Sequence, residues 1–187
     1  MKRLILASGS PRRKELLSYL NIPFEIIVAD IDEKIDYSKP LRTEIEKLSF
    51  EKANAVFKDH EDAIVIGSDT IVSINGKVLG KPKSKEEAID MLHILQDNVH
   101  EVITAVSIIS KEKRDTFSRV TKVRFKPMSD EEIVSYVDTK EPLDKAGAYG
   151  IQGHGAKYVD SIEGDYYTVM GLPVSELYNH LKTFTAL

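Results

Sequence analysis

Apolar residues run along this chain in short blocks and helical stripes, in turn. Leu4 to Ala7 is an apolar block of strand length, and Ser8-Gly9-Ser10 breaks it. Ser10 suits an N-cap and Pro11 the first helical position, where a missing N–H costs nothing. Leu16, Leu17 and Leu20 then give a helix one apolar side, which Asn21-Ile22-Pro23 ends. Phe24 to Val28 reads as a second strand, leaving through the acidic Ala29-Asp-Ile-Asp-Glu33. Leu41, Ile45, Leu48, Lys52, Ala55 and Val56 share helical spacing, which predicts a long helix from Leu41 to about Lys58.

Ala63 to Ile66 looks like a central strand, with Gly67-Ser68 a turn or a close approach and Asp69 and Thr70 at the strand's end. Asn75-Gly76 is a type I′ hairpin signal that pairs Thr70–Ile74 with Lys77–Leu79. Ser84 with Glu87, and Ser129 with Glu132, each predict a capping box ahead of an amphipathic helix. Val102–Ser110 and Asp115–Phe125 are β-branched and partly alternating, a long hairpin in which Thr104 and Thr121 face polar space. His93 and His100 read as structural or exposed. The glycines from Gly147 to Gly155, with Tyr149 and Gln152 between them, rule out a regular element; the interleaved apolar residues favour an ordered binding loop over a linker. Lys157–Ile162 reads as a strand, Gly164–Gly171 as a compact turn, and Pro173 starts a last helix. Strands and helices mixed in this way predict an α/β fold with parallel and antiparallel pairings.

Composition narrows the class. The 187 residues carry 30% charged and 42% hydrophobic side chains, enough for one domain with a substantial core. A net charge of −4 argues against a nucleic-acid partner. There is no cysteine, which excludes thiol catalysis and thiolate zinc sites. The first apolar block is too short for a signal peptide or a membrane span, so no membrane partner and a cytoplasmic location are expected.

Candidate chemistry clusters at a few places. Arg12 and Arg13 lie in the first turn of a helix, where the dipole disfavours cations unless an anion is bound. A guanidinium pair beside free N–H groups suits a phosphate; a solvated helix end is the plain alternative. Asp32 and Glu33 could face a cleft and bind metal, or sit in a solvated loop. Lys52 is either a snorkelling lysine or a cation delivered to that cleft. Asp69, just beyond a buried run, must be paired, solvated or metal-bound, and Lys81 could reach a phosphate.

Ser8-Gly-Ser-Pro-Arg-Arg-Lys-Glu-Leu16, Gly67-Ser-Asp-Thr70, Gly80-Lys-Pro82, Asp144-Lys-Ala-Gly-Ala-Tyr-Gly-Ile-Gln-Gly153 and Val169-Met-Gly-Leu-Pro173 together resemble the Maf family over nearly the whole chain. The resemblance implies a nucleoside triphosphate pyrophosphatase that cuts between the α- and β-phosphates. It implies a mixed, strongly bent sheet flanked by helices, like that of inosine triphosphate pyrophosphatases. A single domain spanning 1–187, with two lobes around a central cleft, and often a homodimer, go with it. Arg12, Thr70 and Gln152 resemble the branch acting on dTTP and UTP, so a pyrimidine nucleoside triphosphate is the expected partner. A Gln amide offers one donor and one acceptor, which matches the O4 and N3–H edge of uracil or thymine. The resemblance makes Asp69 the proton acceptor. An ordinary aspartate is a weak base towards bulk water, so the role calls for Mg²⁺ or Mn²⁺ near Asp69 and Glu33, or for burial. Ser8, Arg13, Lys52 and Lys81 should hold the triphosphate. The other class consistent with the same pocket is a non-catalytic nucleotide-binding regulator of cell division.

Overall fold

In the computed structural model, which describes residues 2–184, the apolar runs become seven strands and the stripes six α-helices among the described residues. The domain expected over 1–187 reaches past them: Met1 and residues 185–187 lie outside the described residues. The strand order is β2 (Glu25–Ile26), β1 (Leu4–Leu6), β3 (Ile64–Ile74), β5 (Val99–Ile109), β6 (Arg114–Phe125) and β7 (Val159–Glu163), with β4 (Lys77–Leu79) paired to β3. By density of contact the chain divides into two units. The first holds the residues up to Asp69, Thr104–Arg119 and those from Gly171 on; the second holds Thr70–Ile103 and Val120–Met170. The long strands β3 (Ile64–Ile74), β5 (Val99–Ile109) and β6 (Arg114–Phe125) each contribute residues to both.

In the first unit, β1 (Leu4–Leu6) is buried throughout and lies parallel to both β2 and β3, as Leu6↔Ile26 and Leu6↔Ile66 show. The second strand is shorter than the apolar pattern predicts. β2 is only Glu25–Ile26, both exposed, although Ile27 N still donates to Leu6 O at 3.2 Å. Helix α1 (Pro11–Ser18) starts as expected, with Ser10 Oγ accepting from Arg13 N at 3.4 Å and Leu16 and Leu17 buried. Helix α2 (Leu41–Phe57) buries Ile45, Leu48, Ala53 and Val56.

Gly67 explains how α2 meets β3. A Cβ there would collide with the Ser49 carbonyl oxygen and lie 2.6 Å from Ala53 N, so only glycine lets the helix backbone lie on the strand. The strand does not break at Gly67-Ser68. It continues to Ile74, which puts Asp69 in its middle and corrects the expected strand end. Helix α6 (Val174–Leu181) follows Pro173 as predicted.

In the second unit, Asn75 and Gly76 have φ of 50° and 78°, the paired positive values of a type I′ turn. They close the pairing of β3 with β4 (Lys77–Leu79) at Ile74↔Lys77. Helices α3 (Lys85–Leu95) and α4 (Asp130–Asp138) are both capped by serine. The Ser129 box is complete, but at Ser84 only half forms: Glu87 Oε2 accepts from Lys83 N at 2.6 Å instead of from the cap residue. β7 (Val159–Glu163) starts after, not at, Lys157, because Gly153–Tyr158 winds as a 3₁₀ turn. Gly164–Gly171 carries the short helix α5 (Tyr166–Met170).

The core of this unit gathers Leu92, Val123, Phe125, Ile133, Tyr136 and Tyr149. Thr121, expected to face polar space, is buried and donates to Asp165 O at 2.9 Å. Thr104, in the first unit, is buried likewise. No helix among the described residues is long and apolar enough to cross a membrane.

Candidate active site

The strand-turn-helix β1–α1 sets the first group. Ser8 is buried at 7% exposure, and its Oγ accepts from Ser10 N at 3.3 Å and from Arg13 Nη1 at 3.3 Å. Arg13 Nε donates to Gly171 O at 2.9 Å, and Ser68 Oγ donates to the same carbonyl at 3.1 Å. The guanidinium is therefore fixed from two sides, and a helix N-terminus lies beside it. Burial lowers the Arg13 pKa, with Arg12 acting in the same direction, while the charges of Asp69 and Glu33 work the other way. Gly171, at φ 109°, takes a backbone conformation that few other residues adopt. Neither its carbonyl nor Ser68 stands out by charge or periodicity; the only signal is that both belong to the glycine-bearing motifs.

The second group centres on Lys52. From the buried face of α2 its Nζ reaches Asp69 Oδ1 at 2.7 Å and Glu33 Oε1 at 2.7 Å. The Lys52 and Asp69 side chains are 10% and 14% exposed, and that of Glu33 is 55% exposed. So the Lys52 ammonium stays inside between two carboxylates and does not snorkel to solvent. Asp32, the other acid considered for a cleft, turns outward and pairs with Lys34 at 2.6 Å.

Ser8, Arg13, Glu33, Lys52 and Asp69 are thus brought together within the first unit. Arg12, in the same turn, is half-buried. Thr70, Lys81 and Gln152 belong to the second unit, where Thr70 is half-buried in β3 and Lys81 and Gln152 are exposed.

Two carboxylates converging on one cation can hold a divalent metal in the manner of Mg²⁺, which takes one or two carboxylates and fills its shell with water and phosphate oxygens. No group of three or more His, Asp or Glu side chains among the described residues forms a closed metal cage.

Fixed cations and N–H donors at a helix start, beside one carboxylate on a strand and one on a loop, describe an α/β protein that handles a polyphosphate. The comparisons with known proteins narrow this. The model of the Maf-like protein family matches residues 3–184, and the chain belongs to that family. A dTTP/UTP pyrophosphatase of Bacillus cytotoxicus is 52% identical over 98% of this chain and 96% of its own length. The dTTP/UTP pyrophosphatase of Bacillus anthracis is 52% identical over the same shares. A solved nucleoside-triphosphatase / dITP/XTP pyrophosphatase from Mycobacterium abscessus is a more distant likeness. It is 12% identical over 99% of this chain and 100% of that chain, with a TM-score of 0.47.

Proposed function

We infer that this protein is a dTTP/UTP pyrophosphatase, a hydrolase that releases the nucleoside monophosphate and pyrophosphate. The near full-length identity to enzymes of that name carries this reading. The grouping of Arg13, Lys52, Glu33 and Asp69 supplies its chemistry.

Hydrolysis at the α-phosphorus forms one P–O bond to water and breaks the bond to the bridging oxygen. The water must lose a proton, and the leaving pyrophosphate must be neutralised. In this reading Asp69 takes the proton. Lys52 occupies Oδ1, and Oδ2 faces the water. Arg13, locked to Ser8 and Gly171, and the N–H groups of the Ser8–Ser10 turn hold phosphate oxygens, with Arg12 at the same helix start. Lys52 shares its charge between the carboxylates and the substrate. Lys81 takes the phosphate tail in this reading, and Thr70 and Gln152 take the base. Glu33 and Asp69 would hold Mg²⁺ or Mn²⁺, which when bound offsets phosphate charge and acidifies coordinated water.

The test is a panel of dTTP, UTP, CTP, dATP and dGTP with Mg²⁺, products identified by chromatography. UMP and dTMP with pyrophosphate are expected, with the other nucleotides slower. Diphosphate with inorganic phosphate would make it a terminal phosphatase. Binding without turnover of any nucleotide would favour the regulator.

A further inference from the structure

Gln152 is exposed at the tip of a loop whose two ends are buried, Gly150 on one side and Gly155 on the other. Both ends are held from outside the glycine-rich motif. Glu141 Oε2 accepts from His154 N at 2.8 Å, and its Oε1 accepts from Gly155 N at 3.0 Å and from Tyr136 Oη at 2.8 Å. The same Tyr136 hydroxyl accepts from Gly150 N at 3.0 Å. One carboxylate and one phenol on the α4 side thus take three backbone N–H groups that straddle Gln152.

The glycines fit this clasp. A Cβ on Gly153 would lie 2.5 Å from Glu141 Oε2, and one on Gly155 would strike the Gly150 carbonyl and the Tyr136 hydroxyl. Lys145 Nζ donates to Glu141 O at 2.8 Å, which fixes the clasp residue's own backbone. Partial burial pushes the Glu141 carboxyl up, but its N–H and hydroxyl donors outweigh burial and hold it below the usual range, so it is ionised at neutral pH.

We propose that Glu141 is a positioning residue for base recognition: through His154, Gly155 and Tyr136 it fixes the loop that aims the Gln152 amide at the pyrimidine edge. The proposal rests on the reading of Gln152 as the residue that meets the base. Uracil shows an acceptor and a donor where cytosine shows a donor and an acceptor. An amide held one way round tells them apart, and a loose amide turns to suit either.

The experiment measures kcat and KM for UTP and CTP in wild type, Glu141→Gln, Tyr136→Phe, Gln152→Ala and the Glu141→Gln/Gln152→Ala double variant, with a melting curve for each. Gln152→Ala should lower the UTP-to-CTP ratio of kcat/KM about tenfold, the worth of one neutral hydrogen bond. Glu141→Gln should lower the same ratio, mainly through KM for UTP, and the double variant should fall no further than Gln152→Ala.

Equal losses for UTP and CTP in Glu141→Gln, or multiplicative losses in the double variant, would overturn the proposal. An unchanged ratio in Gln152→Ala would show that Gln152 does not read the base, and the proposal falls with that reading. An unchanged ratio in Glu141→Gln alone overturns only the clasp. Should Glu141→Gln melt below the assay temperature, Tyr136→Phe decides. It keeps the carboxylate and frees Gly150 N, so a lowered ratio supports the clasp and an unchanged one overturns it.

Discussion

In the first unit, ions face ions: Lys52 stands between Glu33 and Asp69, and Arg13 is fixed by a hydroxyl and a carbonyl. In the second unit, a carboxylate and two phenols serve the backbone and the aromatic core. Glu141 and Tyr136 hold a loop, and Tyr149 meets His100 Nε2 at 2.7 Å. The contrast follows from what each must bind in the proposed reaction. A triphosphate tail carries charge and is met by charge. A pyrimidine edge is neutral and directional, and is met by a polar group whose orientation has been set.

The sharpest way to break this contrast is to remove charge from the first unit without removing volume. Asp69→Asn keeps the shape and an acceptor for Lys52, which also retains Glu33. Turnover of UTP should fall by about 10² to 10⁴, the worth of a positioned proton acceptor, while the melting temperature shifts little. Pyrophosphate release at saturating UTP, read beside a circular-dichroism melt, checks both halves. Retained turnover would assign the proton to another group.

The second unit should show its own sensitivity, to acid. His100 is 1% exposed, with its ring edge-on to Phe125 at 5.1 Å. Its Nδ1 has no hydrogen-bond partner among the described residues, and burial pushes its pKa down to about 4. In the unfolded chain the same ring titrates near 6.5, so the unfolded state binds the proton first as pH falls. The stability due to the neutral ring is therefore complete above about pH 6.5 and is lost as pH drops towards 4, about 3 kcal/mol over the whole window. Denaturant titrations of wild type and His100→Gln at pH 7.5 and 4.5 should show the gap between them shrinking by about 2 kcal/mol at the lower pH. A gap of constant size would mean that this imidazole does not titrate there.

Asp69 also marks how far a sequence can be read. Asp69 was legible as chemistry because a charge directly after a buried run must be compensated. Its place in the middle of a strand was not. Gly67-Ser68 looks like punctuation, whereas Gly67 is a glycine because Ser49 and Ala53 of α2 lie against it. Periodicity sees a residue's neighbours in sequence, and this neighbour comes from another element. Lys52 was legible only as a choice, since a lysine on an apolar helical stripe either snorkels outward or stays inside, and its partners Asp69 and Glu33 come from other parts of the chain. The hairpin at Asn75-Gly76 and the Ser129 box are local chemistry, and both formed as read. The Glu87 side chain slipped to Lys83 N, a choice of one amide over the next that a spacing rule does not resolve. Glu141 was invisible because its carboxylate meets two main-chain N–H groups and one tyrosine hydroxyl, and main-chain partners leave no mark in residue type.

The smallest effect separates the units most cleanly, because it starts from the same local interaction in each. Ser10 caps α1 by accepting from Arg13 N at 3.4 Å, and Ser129 caps α4 by accepting from Glu132 N at 3.3 Å. Replacing either by alanine strands one helix-end donor and should cost about 1 kcal/mol in a denaturant melt. The consequences for turnover should part. At α4 the cap residue's own N–H still has Glu132, at 2.9 Å, so Ser129→Ala should leave kcat/KM for UTP unchanged. At α1 the amide that loses its acceptor belongs to Arg13, whose guanidinium is held by Ser8 of that same turn and is proposed to meet phosphate. Ser10→Ala should therefore lower kcat/KM several-fold at equal loss of stability. Equal turnover in the two variants would mean that the α1 cap supports only the helix and does not place Arg13.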